Sequence, residues 1–121
     1  MRQRIFILLL LVYFSCECEE VIPEKSMLLC GVNDPVNNLA WLKNLISDIK
    51  SDPKYVAVTI TAWQYQGQTI FYIYDAISSC AFCDLRSCNG QKFTPSDFND
   101  FMVNKKNEKK IWCQNPDLCL D

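Results

Sequence analysis

The sequence predicts an α+β domain, with an N-terminal helix packed on a small antiparallel sheet and a disulfide-rich C-terminal part holding a second short helix. Three observations predict it. Leu39, Leu42, Leu45, Ile46 and Ile49 recur at helical spacing. Two segments rich in β-branched and aromatic residues, 55–66 and 69–76, then meet at the tight-turn pair Gln66-Gly67. Eight cysteines in 121 residues, crowded from Cys80 onward, have the density of a stapled exported domain.

The first 15 residues read as an export signal. Arg2 and Arg4 form its positive start, Ile5 to Phe14 its apolar run, and Ser15 is a small residue before a cysteine. The run is about ten residues, where a membrane-spanning helix needs roughly 20. Cutting at Ser15-Cys16 makes Cys16 the lipidation site, although Tyr13 and Phe14 depart from the small or aliphatic residues of a usual lipobox. Cutting after Cys18 instead gives a freely secreted protein with an even set of six cysteines, Cys30, Cys80, Cys83, Cys88, Cys113 and Cys119. The lipid-anchored form is the expectation. Residues 16–26, with Glu17, Glu19, Glu20 and Glu24, form a polar acidic tether. Residues 27–121 form one domain, in keeping with the chain length.

Asp34-Pro35 starts the first helix, Asp by capping free amides and Pro by fitting the first turn. Asp52-Pro53 stops it, since the residue before a proline is driven out of helical geometry. Trp41 falls at the edge of the apolar stripe. With Gln66 and Gly67 as the two loop residues, Trp63 faces Ile70 and Ala62 faces Phe71. Val58, Ile60, Ala62, Phe71 and Ile73 then share the face that the helix covers. The opposite face carries Tyr55, Thr59, Thr61, Trp63, Tyr65, Ile70, Tyr72 and Tyr74. After the cysteine-rich stretch and its Asn89-Gly90 turn, Thr94-Pro95-Ser96-Asp97 repeats the helix-start logic. Phe98, Phe101 and Met102 make the apolar stripe of the second helix. Lys105, Lys106, Lys109 and Lys110 are expected as its solvated end, and Ile111-Trp112-Cys113 as a short final strand.

Several elements together resemble a known group. Cys30-Gly31-Val32-Asn33-Asp34-Pro35, Trp41-Leu42-Lys43, the hairpin Tyr65-Gln66-Gly67-Gln68 with Ile70 to Ile73, the pair Cys80 and Cys83, and Cys88-Asn89-Gly90 resemble a family of small Bacteroidetes cell-envelope lipoproteins of unassigned function. The match spans roughly residues 30–90. The resemblance implies an outer-membrane lipoprotein. In such bacteria, acids after the lipidated cysteine, like Glu17, Glu19 and Glu20, resemble a signal for display on the cell surface.

Chemistry is sparse. The net charge is −2, and removal of Arg2 and Arg4 makes the remainder more acidic, so nucleic acid is not an expected partner. The chain has no histidine, which removes the commonest general base and the usual nucleophile pairings. Asp48, Asp75, Asp97 and Asp100 have no pattern that marks them as acid–base residues. Cys80-Ala81-Phe82-Cys83 has redox-motif spacing but lacks the βαβ setting of a thioredoxin-type site. Zinc held by Cys80, Cys83, Cys88 and Cys113 is disfavoured, because exported thiols pair. No metal or cofactor is expected. The aromatic face, Trp63, Tyr65, Tyr72 and Tyr74, is the best candidate surface for a glycan or protein partner. The competing expectation is that the second helix, through Phe98 and Phe101, packs over it.

The expected role is therefore a membrane-anchored, non-enzymatic binding module of the cell envelope. The alternatives are a soluble secreted disulfide-rich binder or inhibitor, and a thiol–disulfide exchange protein using Cys80 and Cys83.

Overall fold

The structure, a computed structural model, describes residues 28–118. The export segment, Cys16, Cys18, the tether and Cys119 lie outside the described residues. In chain order the elements are α1 (Pro35–Asn38), α2 (Ala40–Ser51), β1 (Val58–Tyr65), β2 (Gln68–Asp75), β3 (Leu85–Arg86), α3 (Phe98–Asn104) and β4 (Lys106–Cys113), followed by a short 3-10 turn. The strands form one antiparallel sheet in the order β3-β2-β1-β4. The α+β expectation holds.

The first helix is broken where one was expected. Leu39 takes an extended conformation (φ −101°, ψ 110°) and separates α1 from α2. Asp34 is left-handed (φ 50°) and its side chain caps no backbone amide; its carboxylate accepts from Asn37 Nδ2 at 2.6 Å instead. The break re-aims α2 so that Leu42, Ile46 and Ile49 are buried against the sheet. Asp52 ends α2 in extended geometry ahead of Pro53, as predicted.

The hairpin register is the predicted one: Trp63 pairs with Ile70 and Ala62 with Phe71. Gln66 (φ 49°) and Gly67 (φ 75°) are both left-handed, the requirement of a turn whose twist matches the strands. Ile60, Ala62 and Phe71 are fully buried with Leu29, Leu42 and Ile46, and Ile73 packs against them. Tyr55 leaves the predicted pattern. It lies in the turn before β1, and Gln114 clasps that turn by accepting from Val58 N–H (3.1 Å) and donating to the Tyr55 carbonyl (2.6 Å).

The Lys-rich stretch is a correction. Lys106 to Lys110 is the first part of β4, an eight-residue edge strand paired with β1, and Ile111–Cys113 is only its end. Lys105 caps the end of α3 and sets its ammonium 4.4 Å from the centre of the Trp63 ring. β1 supplies the pairing partner that makes this segment a strand, with register shifts where the pairing slips. Charged side chains on the outer strand oppose further edge-to-edge pairing.

Two cores result, one on each side of the sheet. The second core gathers Trp63, Tyr65, Ile70, Leu85 and Phe101. Asp97 caps α3 as predicted, its carboxylate accepting from Asp100 N–H at 3.1 Å.

Candidate binding surface

The expected aromatic platform is not open. Trp63 and Tyr65 are only 4% and 3% exposed, because Phe101 of α3 packs edge-on against both rings, at 5.8 and 5.0 Å. Phe93 adds a further edge-on contact with Tyr65 at 6.2 Å. Tyr72 is half-buried and stacks on both Trp63 (5.2 Å) and Phe82 (4.8 Å), which also meet each other at 6.1 Å. Tyr74 is the one member of the four that stays exposed. Two of the four candidate residues are core, covered by α3 as the packing expectation has it, through Phe101 and with Phe98 left exposed.

Tyr65 donates its phenol hydrogen to Asp100 Oδ2 at 2.6 Å. That bond to a carboxylate, with burial added, pushes the Tyr65 pKa up to about 12, because the neutral phenol alone can donate. The Tyr72 hydroxyl is also pushed up, chiefly by burial, against the opposing effect of accepting from Phe82 N–H. Asp100 and Asp97 are thus structural, one holding Tyr65 and the other capping α3. Asp48 sits on the exposed side of α2.

Two clefts open to solvent on either side of the loop 76–84. The first cleft, of about 220 Å³, is on the α2 side. Its apolar wall is Leu45, Ile49, Val58 and Ile73, with Tyr55 at the edge, and Asp75, Asp84 and Arg86 stand at its polar rim. Asp84 holds Arg86 through two contacts, at 2.8 and 3.1 Å. Arg86 also lies 6.0 Å from the centre of the Trp41 ring. Since Asp84 and Arg86 offset one another, Asp75 leaves the rim with an acidic excess.

The second cleft, of about 310 Å³, is on the α3 side and is lined by Phe82, Leu85, Phe93, Pro95 and Phe98, with Lys92 at its rim. Cys83 lines both clefts, and Cys80 the first. Phe98 is 46% exposed, a large apolar ring left in solvent.

Two cysteine pairs are defined among the described residues. Cys30 is bonded to Cys88 across 58 positions, with Cα atoms 5.5 Å apart. Cys80 is bonded to Cys83, three positions away. Cys113 is disulfide-bonded as well. Trp41 braces the long bridge: its ring nitrogen donates to the Cys88 carbonyl at 2.7 Å, and its ring meets Phe71 edge-on at 5.4 Å. Among the described residues, no three cysteine or carboxylate side chains converge as a metal ion would require, and no helix is long and apolar enough to cross a membrane.

Sequence reasoning missed the clefts, yet a signal existed. Asp84 and Arg86 are two positions apart, the spacing that puts side chains on one side of an extended chain. Phe82 and Phe93 carried no period and became visible only through their packing. Compared with known proteins, this chain has no match: no family model fits it, and no curated protein and no solved structure is similar to it.

Proposed function

We propose that this protein is a membrane-anchored cell-envelope lipoprotein whose exported domain binds a polypeptide partner and does no chemistry of its own on small molecules. The observation that carries the binding part is the pair of open clefts flanking the exposed loop 76–84, the first part polar and part apolar and the second mostly apolar. Small-molecule sites usually enclose roughly 300–1,000 Å³. Clefts of about 220 and 310 Å³ sit at or below that range and suit single side chains of an extended chain. The acidic rim of the first cleft favours a partner with amide or cationic groups there. A glycan would need flat exposed rings, and most of the aromatic surface here is covered.

The anchoring part rests on sequence. Arg2 and Arg4, the apolar run and Ser15-Cys16 support export with lipid on Cys16. Stable attachment by acyl chains follows when more than one is present. The resemblance of residues roughly 30–90 to Bacteroidetes envelope lipoproteins points the same way. The disulfides fit an oxidising compartment outside the cytoplasm.

Intact mass of the mature protein, purified unreduced from its native cells, tests the anchor. Acylated Cys16 is expected; a water-soluble species beginning at Glu19 overturns it and leaves a secreted binder. A peptide array and a glycan array probed in parallel with the mature chain test the occupant. Retention on extended apolar peptides is expected, and retention only on glycans overturns the polypeptide reading.

A further inference from the structure

We infer that the Cys80–Cys83 bridge is a thiol–disulfide exchange site for a cysteine-bearing extended polypeptide held in the two flanking clefts. The inference rests on the reading of those clefts as a polypeptide dock and goes beyond it in assigning covalent chemistry.

Four observations carry it. Both cysteines are exposed, whereas Cys30 and Cys88 of the other bridge are half-buried. The bridge spans three positions, so it restrains the unfolded chain far less than one spanning 58. Cys83 lines both clefts, so a strand passing over the bridge would set the neighbours of its own cysteine into the apolar walls on either side. The loop is also anchored independently of the sulfur bond. Phe82, between the two cysteines, stacks on Tyr72 at 4.8 Å, meets Phe98 edge-on at 5.6 Å, and donates its N–H to the Tyr72 hydroxyl at 3.3 Å. Opening the bridge therefore leaves the two sulfurs tethered to one fixed aromatic, close enough to re-form.

The chemistry balances without a histidine. A partner thiolate attacks one sulfur of the Cys80–Cys83 bond. That bond breaks, a new sulfur–sulfur bond joins the partner to the attacked cysteine, and the second cysteine leaves as a thiolate that takes a proton from solvent. A second thiolate on the partner then attacks the mixed disulfide. The partner departs with its own disulfide, and Cys80 and Cys83 are both thiols. Two electrons have passed from the partner's dithiol to the pair. The nucleophile belongs to the partner, so no activated base on this chain is needed.

The test uses the full mature chain with its native bridges. The probe is a synthetic peptide with two reduced cysteines set among leucine and phenylalanine residues. Oxidised glutathione at the same concentration is the reference oxidant for the same peptide. Oxidation of the peptide by the protein is expected to be at least ten-fold faster than by oxidised glutathione, with about one peptide oxidised per protein. Alkylation and peptide mapping should then find Cys80 and Cys83 as thiols, Cys30–Cys88 intact, and the far-ultraviolet circular dichroism unchanged. A rate no faster than the reference, or thiols appearing first at Cys30 and Cys88, or loss of the fold on opening the short bridge, overturns the inference. Phe98→Ala, which removes one cleft wall, should slow peptide oxidation several-fold; an unchanged rate overturns the placement of the partner. The same peptide with serine for cysteine separates the two readings. If it binds while its thiol form does not exchange, the exchange site fails and the dock stands. If it does not bind, the dock itself fails.

Discussion

Cys30–Cys88 and Cys80–Cys83 are chemically the same bond in opposite settings. Cys30–Cys88 joins the turn before α1 to the loop after β3, with Trp41 hydrogen-bonded to Cys88 and packed against Gly90 and Phe71. Cys80–Cys83 lies in an exposed loop whose position is set by Phe82 on the aromatic core. On chain-entropy grounds a bridge closing 58 positions stabilises by about 4 kcal/mol, and one closing three by about 2 kcal/mol. One bridge therefore substitutes for core that a small domain lacks, while the other contributes about half as much and sits in a loop that Phe82 also holds. A bond whose loss the fold tolerates is free to serve chemistry.

The largest expected effect is at the long bridge. Cys30→Ser with Cys88→Ser should cost about 4 kcal/mol, a fall of roughly 15–30 °C in Tm for a domain of about 100 residues. Thermal unfolding by circular dichroism checks it. A loss under about 2 kcal/mol would erase the contrast between the bridges.

Next comes the packing that braces that bridge. Gly90 is left-handed (φ 81°), and a Cβ there would stand 2.7 Å from the Trp41 ring. Gly90→Ala should cost about 2–3 kcal/mol through overpacking and backbone strain, and a red shift in tryptophan emission should report displacement of Trp41. Gly67→Ala, with open space around its Cβ, carries only the backbone cost and should cost about 1 kcal/mol.

At the short bridge, Cys80→Ser with Cys83→Ser should cost about 2 kcal/mol or less in urea titration, with an unchanged m-value. A larger loss would mean that the loop depends on its bridge and not on Phe82.

On the aromatic side, Tyr65→Phe is read through its pH dependence. The Tyr65 pKa is raised from 10.0 to about 12 in the folded protein, so the folded state keeps the phenol proton longer than the unfolded chain does. The stability tied to that proton is fully present below pH 10 and is lost as pH rises from 10 to about 12. Tyr65→Phe should remove this alkaline loss, and urea midpoints measured at pH 8, 10 and 11.5 check it.

The hairpin was fully legible in the sequence. Alternation along 58–65 and 68–75 and the Gln66-Gly67 turn specify the register, since a one-residue slip would turn the apolar set to the wrong face. The stripe of α2 was legible for the same reason, a period matched to one buried face. The break at Leu39 was not, because Asn38 and Leu39 carry no breaker residue and the bend depends on how α1 meets the sheet. The strand β4 was hidden for a related reason. Lys, Asn and Glu have low strand propensity, and the stretch becomes a strand by pairing with β1, more than 40 positions earlier in the chain.

By itself the sequence determined the class, the hairpin register, the apolar face of α2 and the cap of α3, because each depends on residues close together in the chain and on a local period. The tertiary structure alone decided which cysteines bond, which aromatics are covered and where the clefts open. Those depend on Cα distances and packing between segments far apart in sequence, such as Cys30 with Cys88 and Tyr65 with Phe101. No local pattern encodes them, since the same residue types would serve equally well in other pairings.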